Sequence, residues 1–170
     1  MNRKQVKYNT YEEFLQGNPN YPIPRDIECL DLIIKKKWAE EMVKGERNYD
    51  LRPFSFLLHD RICNQDTEKF KEDHKNDEDI YRWCNPVRTV MKIHYHDYAS
   101  TWSLDVICIE NGYMAPFDGD VEQLHQICNC HDLDDICTEL NAENVEFRPI
   151  YYYFIIGDII SNENLMPNNK

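Results

Sequence analysis

The chain lacks the glycine signatures of the common phosphate-binding and hydrolase folds. It has no Walker loop, no Rossmann glycine fingerprint and no G-x-S-x-G elbow, which argues against nucleoside-triphosphatase, dinucleotide-dependent and α/β-hydrolase chemistry. Long apolar runs are also missing. Nothing approaches the roughly 20 consecutive apolar residues of a membrane helix, and the opening MNRKQVKYNTYEEFLQ has no apolar stretch of a secretory signal. A cytoplasmic protein with no membrane partner is the expectation. Positive charge is scarce, with 19 basic against 31 acidic residues and a net charge of −12. Duplex nucleic acid rewards a basic face through counterion release, so a general nucleic-acid coat is disfavoured, whereas a pocket for one nucleotide is not.

Paired cysteines are absent too. The seven cysteines are odd in number and scattered, several inside apolar patterns where thiols pack as small hydrophobes. A reducing compartment accounts for them. The group His125, Cys128, Cys130, His131 and Cys137 has ligand chemistry but not the paired spacing of a zinc site. On a helix, positions 128 and 130 point about 200° apart. No metal and no cofactor are expected. The FDGD sequence at 117–120 reads as a turn with a helix cap at Asp118 or Asp120.

What is present fits one α+β domain. The length of 170 residues and the 12% aromatic content suit a single ordered globule. Residues 1–27 form an N-terminal extension, with a helix over Tyr11–Gln16 capped by Thr10 and Glu13, then the turn-rich NPNYPIPRD. The domain proper spans 28–162, with a charged insertion at 65–85 and a tail at 163–170. Cys29–Lys35 is a strand by its leucine and isoleucine content. Lys36–Lys44 is a helix with Trp38, Met42 and Val43 on one face and Gly45 as its stop. Asn48–Pro53 alternates as a half-buried strand. Residues 66–79 form an exposed helix or loop. Val87–Tyr98 and Ser103–Ile109 make a hairpin, Asp118–Asn141 a helix, and Phe147–Ile160 a closing strand broken at Gly157. That much strand closes a small β-barrel.

Two sets of side chains invite chemistry. His94 and His96 stand two apart on a strand and share a face beside Asp97, an arrangement for acid–base work, metal binding or a polar lining. Arg47, Asp50 and Arg52 follow the helix stop. Gathered together, a carboxylate between two guanidiniums forms charge-assisted pairs and leaves donors for a ligand oxygen; left in water, it is a surface ion pair of about 0–1 kcal/mol.

The run from Trp38 to Arg52, WAEEMVKGERNYDLR, resembles the signature of the ASCH domain family within the PUA-like superfamily. That signature is a helix ending in glycine, then x-[K/R]-x-x-[E/T]-x-R leading into a strand, with Gly45, Arg47, Asp50 and Arg52 at its positions. The resemblance implies a small PUA-like barrel with covering helices and a cleft beside it that binds RNA or a modified nucleoside. Some members deacetylate acetylated cytidine, with lysine where this chain has Arg47 and threonine where it has Asp50. A guanidinium does not accept a proton near neutral pH, so the departure shifts the expectation from amide hydrolysis to binding of a nucleotide, a modified nucleoside or single-stranded RNA. Arg47, Asp50 and Arg52 supply polar recognition, Lys36, Lys37 and Trp38 line the cleft edge, and Tyr49 or Trp102 stacks on a base. The alternatives are a metal-independent amidohydrolase using Asp50 with His94 or His96, and an acidic interaction or inhibitor protein that docks on a basic protein partner.

Overall fold

The computed structural model describes residues 8–53, 55–84, 86–114 and 151–165. The region predicted as the helix 118–141, with its cysteine–histidine group and the FDGD turn, lies outside the described residues. The chain divides into two compact units. Unit 1 comprises Met1–Arg25 and Phe56–Arg88, and unit 2 comprises Asp26–Ser55 and Thr89–Lys170. Among the described residues no helix is long and apolar enough to cross a membrane.

Among the described residues unit 1 carries four helices, α1 (Tyr11–Gly17), α3 (Phe56–Ile62), α4 (Gln65–Asp73) and α5 (Glu78–Trp83), and α2 (Lys36–Val43) belongs to unit 2. Thr10 caps α1 as its spacing predicts, its hydroxyl accepting from the Glu13 amide. Phe14 meets Tyr21, and Tyr21 meets Phe70, edge to face at 5.1 and 5.3 Å. Ile80 and Cys84 complete this buried cluster. The charged stretch at 66–79 is therefore amphipathic in part. On α4 Asp66, Lys69, Glu72 and Asp73 are exposed, while Thr67 and Phe70 are buried.

Unit 2 is built on a five-stranded sheet. Its strands are β1 (Leu30–Ile33), β2 (Tyr49–Pro53), β3 (Lys92–His96), β4 (Ser103–Met114) and β5 (Tyr151–Glu163), in the order β1-β3-β4-β5-β2. Among the described strand pairs only β1–β3 is parallel. The predicted strands are present with shifted ends: β3 starts later than Val87, and β5 runs through Gly157 without stopping. Gly157 is small for a reason other than a break. A Cβ there would stand 2.8 Å from the Ile109 side chain. Three register shifts between Asp105 and Glu110 mark bulges in β4, and bulges bend and twist a strand.

The sheet curls into a half-barrel, and two hydrogen bonds show how far. In a flat sheet β3 and β2 would lie three strand spacings apart, about 14 Å. Yet the Tyr95 hydroxyl on β3 donates to Asp50 Oδ2 on β2 at 2.8 Å. The two edge strands would be farther still, about 19 Å apart, yet Arg52 Nη2 on β2 donates to the Ile33 carbonyl on β1 at 2.8 Å. Among the described residues a side chain, and no strand ladder, joins β2 to β1 across the seam. Inside, Leu30, Leu32, Ile93, Tyr95, Leu104, Val106 and Phe154 are buried.

Candidate functional site at the half-barrel seam

The site begins with the turn after α2. Gly45 adopts φ +74° with open space around it, a left-handed conformation that a Cβ disfavours and that ends helices. Its amide donates to the Met42 carbonyl, and that of Glu46 to the Glu41 carbonyl. The chain then enters β2, where Asp50 pairs in register with Phe154 and Arg52 with Tyr152. Alternation sends Asp50 and Arg52 inward together. β2 is thus buried on both faces: Tyr49 and Leu51 are covered, and so is Asp50, unlike the half-buried strand its alternation predicts.

Asp50 has no exposed side-chain surface, and it is held by two donors on one oxygen. Arg52 Nε reaches Oδ2 at 2.9 Å beside the Tyr95 hydroxyl. Oδ1 is buried and has no hydrogen-bond partner among the described residues. A buried carboxylate oxygen without a donor costs free energy unless something supplies one. Burial, and then the charge of Asp50, push the Tyr95 phenol well above its ordinary range, so Tyr95 stays a neutral donor.

A cavity of about 450 Å³ opens at this seam. It is lined by Ile33 at the end of β1, Ile34 and Lys35 after it, Trp38 of α2, Asp50, Leu51 and Arg52 of β2, and Asp97 and Tyr98 after β3. Its size falls in the range of small-molecule sites. Lys35 Nζ lies 5.1 Å from the Trp38 ring centre. Tyr98 is almost fully exposed at the rim. Asp97 is committed to its own turn, accepting from the Thr101 amide and hydroxyl, which hold its carboxyl below the usual range.

The predicted residues separate into three groups. Trp38, Asp50 and Arg52 line the cavity. Arg47 does not: its guanidinium is buried, donates from Nε to Glu41 at 2.8 Å, and lies 5.0 and 4.7 Å from the Trp38 and Tyr49 ring centres. It backs the indole and fixes its plane. Lys36 and Lys37 point to solvent, Tyr49 is buried under Arg47, and Trp102 is buried in the core. The aromatic wall is therefore Trp38 and Tyr98. Sequence reasoning missed Lys35, Tyr95 and Tyr98 as site residues; an unburied aromatic just past a strand end is the signal that marks Tyr98.

His94 and His96 occupy the other face of β3 from Tyr95. Asp31, His94, Asp105 and Ser161 form one row across four strands. In it His94 Nδ1 contacts Asp105, and the Ser161 hydroxyl donates to Asp105 at 3.0 Å. His96 places Nδ1 on the Asp97 carbonyl and Nε2 on Asp31. The carbonyl first and Asp31 second raise its pKa, since both ring nitrogens face acceptors. Neither histidine approaches Asp50.

No protein-family model matches the chain, and no curated protein and no solved structure is significantly similar to it.

Proposed function

We propose that unit 2 is a PUA-like domain of the ASCH type whose seam cavity takes one base of a nucleotide, a modified nucleoside or single-stranded RNA. The observation that carries this reading is the orphaned Oδ1 of Asp50, buried at the wall of a cavity that also holds the Trp38 face. A planar base carries amine and imide N–H groups on its edge, and a carboxylate accepts from such groups. Trp38, held flat by Arg47, offers a stacking surface. Arg52 spends two of its N–H groups on Asp50 and Ile33 and has further donors for a carbonyl or phosphate oxygen. Lys35 adds the charge that a phosphate needs at the rim.

Amide hydrolysis draws less support. A general base must lie within hydrogen-bond reach of the proton it takes, and Asp50 faces the half-barrel interior while His94 and His96 stand on its outside. The four ribonucleoside monophosphates, titrated calorimetrically into the full chain, test the binding reading. At least one binds, and Trp38→Ala weakens it by about 1–3 kcal/mol, the worth of a stacked base. Absence of heat from all four, or equal affinity in parent and variant, sinks it.

A further inference from the structure

Unit 1 holds a cluster that the nucleotide site leaves unused. His59 lies on α3 and Cys63 one helical turn later, so both side chains share a face. The Cys63 amide donates to the His59 carbonyl at 2.9 Å, carrying the helix bond pattern past Ile62. Asn64 then caps α4, its side chain accepting from the Asp66 amide at 3.1 Å. The next turn of α4 presents Glu68 back to α3. Three side chains meet in a line: Cys63 Sγ is 3.2 Å from His59 Nδ1, and His59 Nε2 is 3.0 Å from Glu68 Oε1.

The same three residues bring their ligating atoms within 4.8 Å of one another, which a metal ion also requires. The imidazole orientation decides between the two readings. A metal takes one ring nitrogen along its lone pair, with the other ligands around the same point. Here the ring stands between sulfur and carboxylate with one nitrogen turned to each. That is the order of nucleophile, base and orienting acid, and it needs no rotation to work.

Cys63 also lines a cavity of about 410 Å³ with Ile23, Arg25, Gln65 and Arg88. Among the described lining residues Asp66 is the one acidic group against two guanidiniums, a positive balance. Cys63 stands between the C-terminal end of α3 and the Asn64 cap of α4, so the two helix dipoles oppose each other there and the base is His59.

We propose that Cys63, His59 and Glu68 form a nucleophilic relay acting on an acyl compound that carries a negative group. His59 Nδ1 takes the thiol proton, and Glu68 holds the imidazolium at Nε2. The sulfur attacks the acyl carbon, a C–S bond forms, and the bond to the leaving group breaks. The leaving group departs with the proton returned from Nδ1. Water, deprotonated by the same nitrogen, then cleaves the thioester to a carboxylic acid and restores the thiol.

The test is alkylation of the reduced full-length chain by iodoacetamide, followed cysteine by cysteine by mass spectrometry across the pH range. At about pH 6, Cys63 reacts at least about tenfold faster than the exposed Cys29, because only a base-paired thiol is ionised there. His59→Gln removes the advantage. A second arm mixes the chain with mono(4-nitrophenyl) succinate and, separately, with neutral 4-nitrophenyl acetate; a stoichiometric burst and a thioester on Cys63 form faster with the anionic ester. The unmodified chain supplies the pH profile and the burst, so a variant that fails to fold does not blunt the test. Cys63 no faster than Cys29, no thioester, or Zn²⁺ retained one-to-one through dialysis and lost in Cys63→Ser overturns the relay.

Discussion

In unit 2 the carboxylate at the candidate site, Asp50, has no exposed side-chain surface, and it is gripped by Arg52 and Tyr95. In unit 1 Glu68 keeps 33% of its side chain in water and meets one imidazole. Both carboxylates orient a polar neighbour, but the energetic consequences differ. A charge removed from water must be compensated by its partners, and losing one partner leaves the remainder stranded. A charge that retains water has a second solvent for its lone pairs. Asp50 is therefore a structural element with one oxygen left without a donor among the described residues, whereas Glu68 can change with little effect on folding.

The largest expected effect follows from the buried side. Asp50→Ala strands the Arg52 and Tyr95 donors and loosens the Arg52 link between β2 and β1. It costs about 3–5 kcal/mol in urea unfolding, as for other broken buried pairs. A loss below about 1 kcal/mol would mean that Asp50 is solvated as Glu68 is, and the contrast would fail.

Tyr95→Phe comes next, at about 1.5–3 kcal/mol near neutral pH, the worth of a hydrogen bond to a charged group. Its pH dependence sharpens the test. The folded phenol titrates above its ordinary pKa of 10.0 because of burial and Asp50. The protonated form is thus favoured in the fold. That contribution is complete below pH 10 and is lost as pH rises from there toward the folded pKa. Stability of the parent falls across that alkaline window more steeply than that of Tyr95→Phe. Cys108, which burial pushes up to about 12, and Tyr21, which burial also raises, titrate in both proteins and cancel in the difference. Equal alkaline slopes would show that Tyr95 is not sealed from water.

Local order was the more legible part of the chain. The helix after β1 ends where Gly45 predicts, and the strand that follows carries the polar residues singled out for the site. Local spacing says which side chains share a face, and Asp50 and Arg52 do. It does not say what lies across the sheet. The meeting of Tyr95 with Asp50, and of Arg52 with Ile33, depends on how far five strands curl, a property of the whole sheet and its bulges. Arg47 left the expected trio for a local reason. Its guanidinium had two aromatic faces and Glu41 within reach, and those outcompeted Asp50. In the charged stretch the acidic count hid Thr67 and Phe70. The relay of His59, Cys63 and Glu68 was hidden further, because its third member comes from the next helix and depends on the Asn64 cap.

Gly45→Ala gives a smaller effect confined to unit 2. The space around Gly45 is open, so the cost is the left-handed backbone alone, about 1–2 kcal/mol. Thermal unfolding reads the loss, and alkylation of Cys63 in the same sample at room temperature stays unchanged. A substitution that leaves stability untouched would mean the α2–β2 turn relaxes to an ordinary φ.

The smallest expected change in stability is that of Glu68→Gln. The pair with His59 is partly exposed on both sides, and such pairs contribute about 0–1 kcal/mol. The amide oxygen of glutamine can still accept from Nε2–H, which holds the ring in place while removing the negative charge opposite the imidazolium. Urea midpoints of parent and variant should therefore nearly coincide, and the iodoacetamide profile of Cys63 should shift to higher pH. The sign follows from the charge: without the carboxylate the imidazolium is less stable, the thiol gives up its proton less readily, and more alkaline solution is needed to ionise it. Coincident midpoints with a displaced profile set Glu68 apart from Asp50 as a carboxylate that serves reactivity and not the fold; a midpoint shift as large as that of Asp50→Ala would erase the distinction between the two units.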